Sequence, residues 1–269
     1  MNAMKRFVAI VGLFGAAGSA LAYDFSEADV LFSKRGDGQA AIEAARSSFE
    51  ASLKTVSGRE LVYAVEYLSR LDYYEGLRTD DVNLQKVIYS RCLERIELIK
   101  PSTPTSTPEY YYFKGGCLGS WAKANGVLQS LIKSKELVDT LEIGKKIAPT
   151  YEGGGFDRIE APVFLKLPAI NPYGPTGDKK KALAFAEAAL ASSSYSGSVE
   201  PETGSGDYFF NAFEYKAEIL DAVGRKAEAI DLLNNAIARI DAGDISTFRA
   251  AETKEHRRGL QALLEKISK

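Results

Sequence analysis

The chain is poor in the residues on which most enzyme chemistry depends. Its 269 residues include one histidine, two cysteines and one tryptophan. A single histidine leaves little scope for a Ser–His or Cys–His pair, and one histidine with two cysteines does not complete a zinc ligand set. The motifs of serine hydrolases, zinc proteases and nucleotide-binding loops do not occur. We therefore expect a protein that is not an enzyme and needs no cofactor or metal.

The charge balance argues against a nucleic-acid partner. Of the 34 lysines and arginines, Lys5 and Arg6 lie in the N-terminal segment. The rest of the chain therefore has 32 basic and 36 acidic residues, which is a small excess of negative charge. Proteins that bind nucleic acids usually present a basic surface. The one histidine, His256, lies among charged residues of the C-terminal segment, and we expect it to face solvent.

The first residues predict export. Lys5 and Arg6 precede a run of 15 apolar or small residues from Phe7 to Leu21, and Ala20-Leu21-Ala22 is typical of a signal-peptidase site. The run is shorter than the roughly 20 residues that span a bilayer as a helix. We predict a signal peptide over 1–22 and a mature periplasmic domain over 23–269. An uncleaved N-terminal anchor is the alternative.

The hydrophobic pattern predicts an all-α protein. Apolar residues recur at steps of three and four, as in Leu61, Val65 and Leu68. Alternating runs of β-branched residues, typical of strands, are short. Ser57-Gly58-Arg59-Glu60 has the pattern of a capping box that opens a helix, and Thr107-Pro108 indicates a second helix start.

Small residues repeat at a fixed spacing. In each copy a glycine is followed five and twelve positions later by small residues: Gly177, Ala182 and Ala189; Gly224, Ala229 and Ala236; Gly36, Ala41 and Ser48. This pattern favours tetratricopeptide-like helical hairpins, each of which covers its apolar face with the next hairpin. We predict five hairpins stacked into a superhelix, with a C-terminal capping helix over 246–267. The hairpins would span 25–56, 58–100, 108–148, 152–192 and 206–241.

The two cysteines, Cys92 and Cys117, fall on consecutive predicted helices. In an oxidising compartment they can form a single disulfide. The spacing does not show whether their Cα atoms come within bridging distance, so that two buried free thiols remain the alternative.

Aromatic residues are concentrated in the third predicted hairpin. Tyr110 to Phe113 are four consecutive aromatic residues, and Trp121 would share a helix face with Lys114 and Asn125. Most such residues fill the core, but some can line a groove for a solute or a partner segment. The candidate contacts are Tyr111, Tyr112, Lys114, Trp121, Asn125, Tyr151 and Arg158. Arg158 can meet an acidic group of a partner or ligand, pair with Glu160, or cap a helix end.

Several short motifs follow one another in a fixed order between 110 and 190. They are the Trp121 helix, a helix that ends at Pro149, the glycines 153–155 before Arg158, Leu167-Pro168, and Gly177-Asp178 before Lys181-Ala182. This order resembles the T-component of tripartite ATP-independent periplasmic (TRAP) transporters, the TatT family. Members of that family are often lipoproteins, whereas no cysteine follows Ala22 here.

The resemblance implies a periplasmic helical-repeat protein that associates with the solute-binding protein of a transporter, as a homotrimer. We expect a non-catalytic scaffold of this kind that holds or passes a small apolar or acidic solute. Two alternatives stay open. One is a general protein–protein interaction module of the cell envelope without a transport role, and the other is an unrecognised hydrolase.

Overall fold

The computed structural model describes residues 23–103, 107–192 and 209–269. Within these ranges the chain forms α-helices and no β-strand, which confirms the predicted all-α class. The helices are α1 (Ser26–Ser33), α2 (Gln39–Ser52), α3 (Gly58–Arg78), α4 (Val82–Ile96), α5 (Pro108–Asn125), α6 (Val127–Ile147), α7 (Gly155–Lys166), α8 (Lys179–Ala191), α9 (Phe210–Ala222), α10 (Lys226–Asp241) and α11 (Ala250–Ser268).

Two predicted segments lie partly or wholly outside the residues that the structure describes. The signal peptide predicted over 1–22 lies outside the described ranges, and so do residues 206–208 at the start of the fifth predicted hairpin. Among the helices of the described ranges, none has the length and apolar content that a bilayer crossing requires.

The start of α3 shows how tertiary contacts replace a local cap. The helix begins at Gly58, where the sequence pattern predicts, but the Ser57 side chain makes no capping hydrogen bond. The Glu60 carboxylate instead accepts a hydrogen bond from the backbone N–H of Tyr23 at 2.9 Å. The predicted capping box is therefore wrong, because a distant backbone donor takes up the glutamate that would complete it.

The turn between α7 and α8 brings two of the sequence motifs together. The backbone N–H of Gly177 donates to the carbonyl of Pro168 at 2.8 Å. A Cβ at Gly177 would collide with the carbonyl oxygen of Leu167, so that only glycine fits. The next residue, Asp178, caps α8 by accepting hydrogen bonds from the backbone N–H groups of Lys180 and Lys181, at 2.9 and 3.0 Å.

The repeated alanines of α8 and α10 lie in the core. Ala182, Ala189, Ala229 and Ala236 are all fully buried. Helices that are consecutive in the chain pack against each other, and α7 also contacts α5 and α9. Small side chains at these positions let the neighbouring helix backbones approach closely, because little volume separates them.

The third copy of the spacing behaves differently. In α2 the predicted positions Ala41 and Ser48 are only half-buried. The buried face of this helix is formed by Ile42, Ala45 and Phe49 instead. The buried stripe is thus displaced by one residue, and α2 fills its interface with the large side chains of Ile42 and Phe49 on either side of Ala45.

The C-terminal helix contacts both ends of the series of helices. It packs on α9 and α10, and also on α3 and on the 3₁₀ turn Arg35–Asp37. The buried guanidinium of Arg35 donates from Nε to the carboxylate of Glu252 at 2.9 Å. Just before α11, the ring of Phe248 lies 5.5 Å from that of Phe32 in α1. We predicted α11 as a cap on the last pair of helices. The segment that contains it also contacts α1 and the turn that follows α1.

A disulfide joins α4 to α5. Cys92 and Cys117 are both buried, and their Cα atoms lie 6.0 Å apart. Both cysteines of the chain are used, so no free thiol remains.

Removing this disulfide is expected to lower the free energy of unfolding by about 2–4 kcal/mol, because the bond closes a loop of 25 positions. The measurement is urea denaturation of the oxidised protein and of a Cys92→Ala, Cys117→Ala double variant. Dithiothreitol should lower the midpoint of the natural protein and leave that of the double variant unchanged. Equal midpoints for the natural protein with and without reductant would contradict the expectation.

Candidate functional site

Two of the predicted contact residues are core residues. Tyr111 keeps 7% of its surface exposed and Tyr151 keeps 1%. Both belong to the cluster of apolar side chains built mainly from α5 and α6. Neither residue is available to a partner protein at the surface.

Three others lie along the side of α5 that faces α4. The indole N–H of Trp121 donates to Ser90 Oγ at 3.1 Å, and the Asn125 amide donates to the Trp121 carbonyl at 2.9 Å. Lys114 Nζ donates to the Glu97 carboxylate at 3.1 Å and to a tyrosine hydroxyl. Trp121 therefore connects α5 to α4 and Lys114 connects α5 to the turn that follows α4, whereas the hydrogen bond of Asn125 stays within α5.

Arg158 is buried, and its hydrogen bonds organise the glycine joint. One amino group, Nη1, donates to the carbonyls of Glu152 and Gly153 at 3.0 and 3.2 Å, while Nη2 donates to the Tyr112 hydroxyl at 3.0 Å. The guanidinium also lies against the ring of Phe209, 3.6 Å from its centroid. The predicted alternative of a pair with Glu160 is wrong, because that carboxylate lies beside Lys145.

Glu152, which was not among the predicted contacts, holds together three parts of the chain. Its carboxylate is fully buried and accepts hydrogen bonds from Arg70 of α3 and from Arg249, just before α11, each at 2.6 Å. Burial by itself raises the pKa of the Glu152 carboxyl, but the two guanidinium charges outweigh burial and hold the pKa at about 2. Glu152 therefore stays ionised inside the protein.

A second group of polar side chains meets between α3, α9 and α11, and we call it the central polar cluster. Its members are Tyr73, Asn211, Glu214, Tyr215 and His256. The amide of Asn211 donates to the Tyr73 hydroxyl at 3.5 Å. Glu214 follows Asn211 by one helical turn and faces α11 at Gly259, where an added Cβ would lie 2.9 Å from the carboxylate oxygen Oε2. His256 is one turn before that glycine.

The central polar cluster is only partly shielded from solvent. All five side chains are half-buried and keep some accessible surface. Burial nevertheless lowers the pKa of His256 to about 4 and raises the pKa of Glu214 and Tyr215. The prediction that His256 faces solvent is wrong in part, because the side chain is half-buried against neighbouring helices.

The chemistry of the cluster suits binding. The phenols stay protonated and can donate hydrogen bonds, His256 is neutral at pH 7, and the Asn211 amide can donate and accept. Within the described ranges, no group of three or more His, Cys, Asp or Glu residues is arranged to hold a metal ion.

Comparison with known proteins assigns no family to the chain. No protein-family model matches the sequence. A search of curated proteins also finds no match. The functional argument therefore depends on the residues and their geometry.

Replacing Glu152 with Gln is expected to lower the free energy of unfolding by about 3–5 kcal/mol, since it removes the buried carboxylate that Arg70 and Arg249 share and leaves Arg70 with Glu66 alone as its buried counter-charge. Because the pKa is lowered on folding, the contribution is present above pH 4.5 and is lost as the pH falls toward 2. Urea denaturation between pH 2 and 7 measures both effects. Glu142→Gln, at an exposed position, is the control. Equal midpoints for the two variants would contradict the expectation.

His256 offers a direct test of how far the cluster is shielded from solvent. The chain has one histidine, so the imidazole signals in an NMR titration belong to it alone. We expect the folded protein to titrate near pH 4 rather than 6.5, because burial disfavours the charged ring. The associated stability is present above pH 6.5 and is lost as the pH falls through 4, and His256→Gln should lose less over this window. A folded-state pKa close to 6.5 would show that the ring is solvated.

Proposed function

We propose that this protein is a non-catalytic periplasmic scaffold that binds the solute-binding protein of a TRAP-type transporter and holds or passes a small apolar or acidic solute. The observation that carries the proposal is that polar side chains of α3, α9 and α11, three helices far apart in the chain, meet in one partly buried cluster. A preformed site of this kind limits the entropy lost when a ligand or a partner binds.

A superhelix of stacked helix pairs is the architecture we propose for the scaffold. Its support is the packing of consecutive helices against each other and the full burial of the repeated alanines of α8 and α10. Serial pairs expose a continuous surface of the kind that repeat proteins use for binding.

The order of motifs that resembles the TatT family supports the transporter role. These motifs run without interruption from α5 through α8. The Leu167-Pro168 and Gly177-Asp178 motifs act together in one turn, so their joint presence reflects a shared backbone geometry rather than isolated short matches.

The proposed location depends on the N-terminal pattern and on the disulfide. Structural disulfides persist in oxidising compartments, which include the bacterial periplasm. The Cys92–Cys117 bond is consistent with export and adds to the signal-peptide prediction.

Exposed apolar side chains supply a surface for a protein partner. On α6 the side chains of Val127 and Leu128 are 77% and 59% exposed, and on α4 that of Val87 is 61% exposed. Val127 and Leu128 are adjacent in the chain, and neighbouring exposed apolar side chains of this kind are typical of interaction sites. These residues equally favour the alternative, a general envelope interaction module, because they do not specify the partner.

Affinity capture separates the two roles. The mature chain, residues 23–269, is used to capture partners from a periplasmic extract. We expect a solute-binding protein among them, and we expect a Val127→Asp, Leu128→Asp variant to capture at least about tenfold less of it, because charge at an apolar contact is costly. Val30→Asp on α1, at a position 54% exposed, is the matched control. Capture of envelope-assembly factors without a solute-binding protein would overturn the transporter role.

A further inference from the structure

The backbone nitrogen of Tyr23 is bound by a carboxylate from another helix. Its N–H donates to Glu60 Oε1 of α3 at 2.9 Å. Tyr23 is also the residue that follows Ala20-Leu21-Ala22, the predicted signal-peptidase site. Cleavage at this site would change the donor of the hydrogen bond from a neutral amide into a charged amine.

The change follows from hydrolysis of the peptide bond between Ala22 and Tyr23. Water gives its hydroxyl to the carbonyl carbon of Ala22 and a hydrogen to the nitrogen of Tyr23. The amine that results takes up a further proton from solvent at neutral pH, as free α-amino groups do. The mature chain then presents an ammonium group at the position where the uncleaved chain presents an amide N–H.

The Glu60 carboxylate is available to pair with this ammonium group. Within the described ranges, no lysine or arginine forms an ion pair with it. The neighbouring base, Arg59, donates instead to the carboxylate of Glu109 at 2.5 Å. Because Glu60 is half-buried, an ion pair here is screened less by solvent than one on an open surface.

The pair would form at the edge of a cavity of about 210 Å³ between the residue before α1 and one face of α3. The cavity is lined by Phe25, Arg59, Glu60, Val62, Tyr63 and Glu66. Glu66 is the second carboxylate of this lining, and it pairs with Arg70 at 2.9 Å. Of the two carboxylates, Glu60 is therefore the one that the terminal amine would neutralise.

Aromatic rings connect Tyr23 to α3. The Tyr23 ring lies 4.7 Å from that of Phe25, which in turn lies 4.8 Å from the ring of Tyr63 in α3. The Tyr63 hydroxyl donates to the carboxylate of Asp29 in α1 at 3.0 Å. An anchor at Tyr23 thus acts on α1 through side chains that already contact α3.

We propose that the mature chain begins at Tyr23 and that its terminal ammonium group forms an ion pair with Glu60, which holds α1 against α3. Asp24, the carboxylate next to the amine in the chain, accepts a hydrogen bond from the backbone N–H of Ser26 at 2.9 Å. Asp24 belongs to the same segment and does not connect α1 to α3. This inference rests on the export that is part of the proposed function, since export is what removes a signal peptide.

The intact mass of the protein recovered from the periplasm tests the cleavage site. We expect a chain of residues 23–269. Retention of residues 1–22, or a chain that begins at any other residue, would overturn the proposal, because Tyr23 would then not carry the terminal amine.

The reactivity of the terminal amine tests the ion pair. Only an unprotonated amine reacts with acetic anhydride, and a nearby carboxylate favours the protonated form. At pH 7 and low salt, the amine of the natural mature chain should react about two- to fivefold more slowly than that of a Glu60→Gln variant, which is the range that exposed ion pairs give. Glu27→Gln, which removes an exposed carboxylate from α1, is the matched control and should leave the rate unchanged. Equal rates for the natural chain and Glu60→Gln would refute the ion pair.

Two further comparisons separate charge from shape. About 1 M sodium chloride should reduce the difference between the natural chain and Glu60→Gln, because salt screens the pair. A chain that begins at Leu21 places its ammonium group two residues away from Tyr23, and its amine should react as fast as that of Glu60→Gln. A difference in rate that salt leaves unchanged would show that access of the reagent, rather than charge, controls the reaction, and would refute the ion pair.

Hydrogen exchange measures the effect on α1. The backbone amides of α1 should exchange about two- to fivefold faster in Glu60→Gln and in the chain that begins at Leu21 than in the natural mature chain. The amides of α9 serve as the internal reference and should not change. Exchange of α1 that is equal in all three proteins would refute the part of the proposal in which the ion pair holds α1 against α3.

These outcomes are separable from those of the affinity capture. A mature chain that shows the ion pair but captures no solute-binding protein would overturn the transporter role alone. Capture of a solute-binding protein by a chain whose amine reactivity does not depend on Glu60 would overturn the ion pair alone.

Discussion

The buried carboxylate of Glu152 is the constraint on which the arrangement of the helices depends. Its two ion-pair partners, Arg70 and Arg249, are 82 and 97 positions away in the chain. A carboxylate taken out of water without partners would cost several kcal/mol, and so would either guanidinium. Arg70 also pairs with the buried Glu66 of its own helix, but Glu152 and Arg249 are paired only when α3, the glycine joint and the start of α11 are all in place.

The backbone around Glu152 serves the same contacts. Glu152, Gly153 and Gly154 all have positive φ angles, of 52°, 57° and 74°. Glycine adopts this conformation freely, but glutamate does so at a cost of order 1 kcal/mol. The tight turn directs the Glu152 side chain toward the two arginines and turns the carbonyls of Glu152 and Gly153 toward Arg158. The strain is thus offset by hydrogen bonds that an ordinary turn would not offer.

Local features of the fold could be predicted from the sequence, and long-range ones could not. The start of α5 at Pro108 and the burial of Ala229 and Ala236 follow from proline geometry and from residue spacing, which act over a few positions. The surroundings of His256 could not be read from its charged neighbours, since burial comes from packing against other helices. The role of Glu152 could not be predicted for the same reason. Nothing in a glutamate followed by three glycines indicates ion-pair partners that lie 82 and 97 positions away in the chain.

Contact of α11 with both the first and the last helix pair sets this protein apart from open helical arrays. In an open array each pair touches only its neighbours, so the ends can fray independently and pairs can be gained or lost in evolution. Here the Arg35–Glu252 pair and the Phe32–Phe248 contact join the two ends. Insertion or deletion of a pair would separate these partners. We therefore expect contact between the two ends to constrain the number of helix pairs, and we expect the ends to unfold together rather than independently.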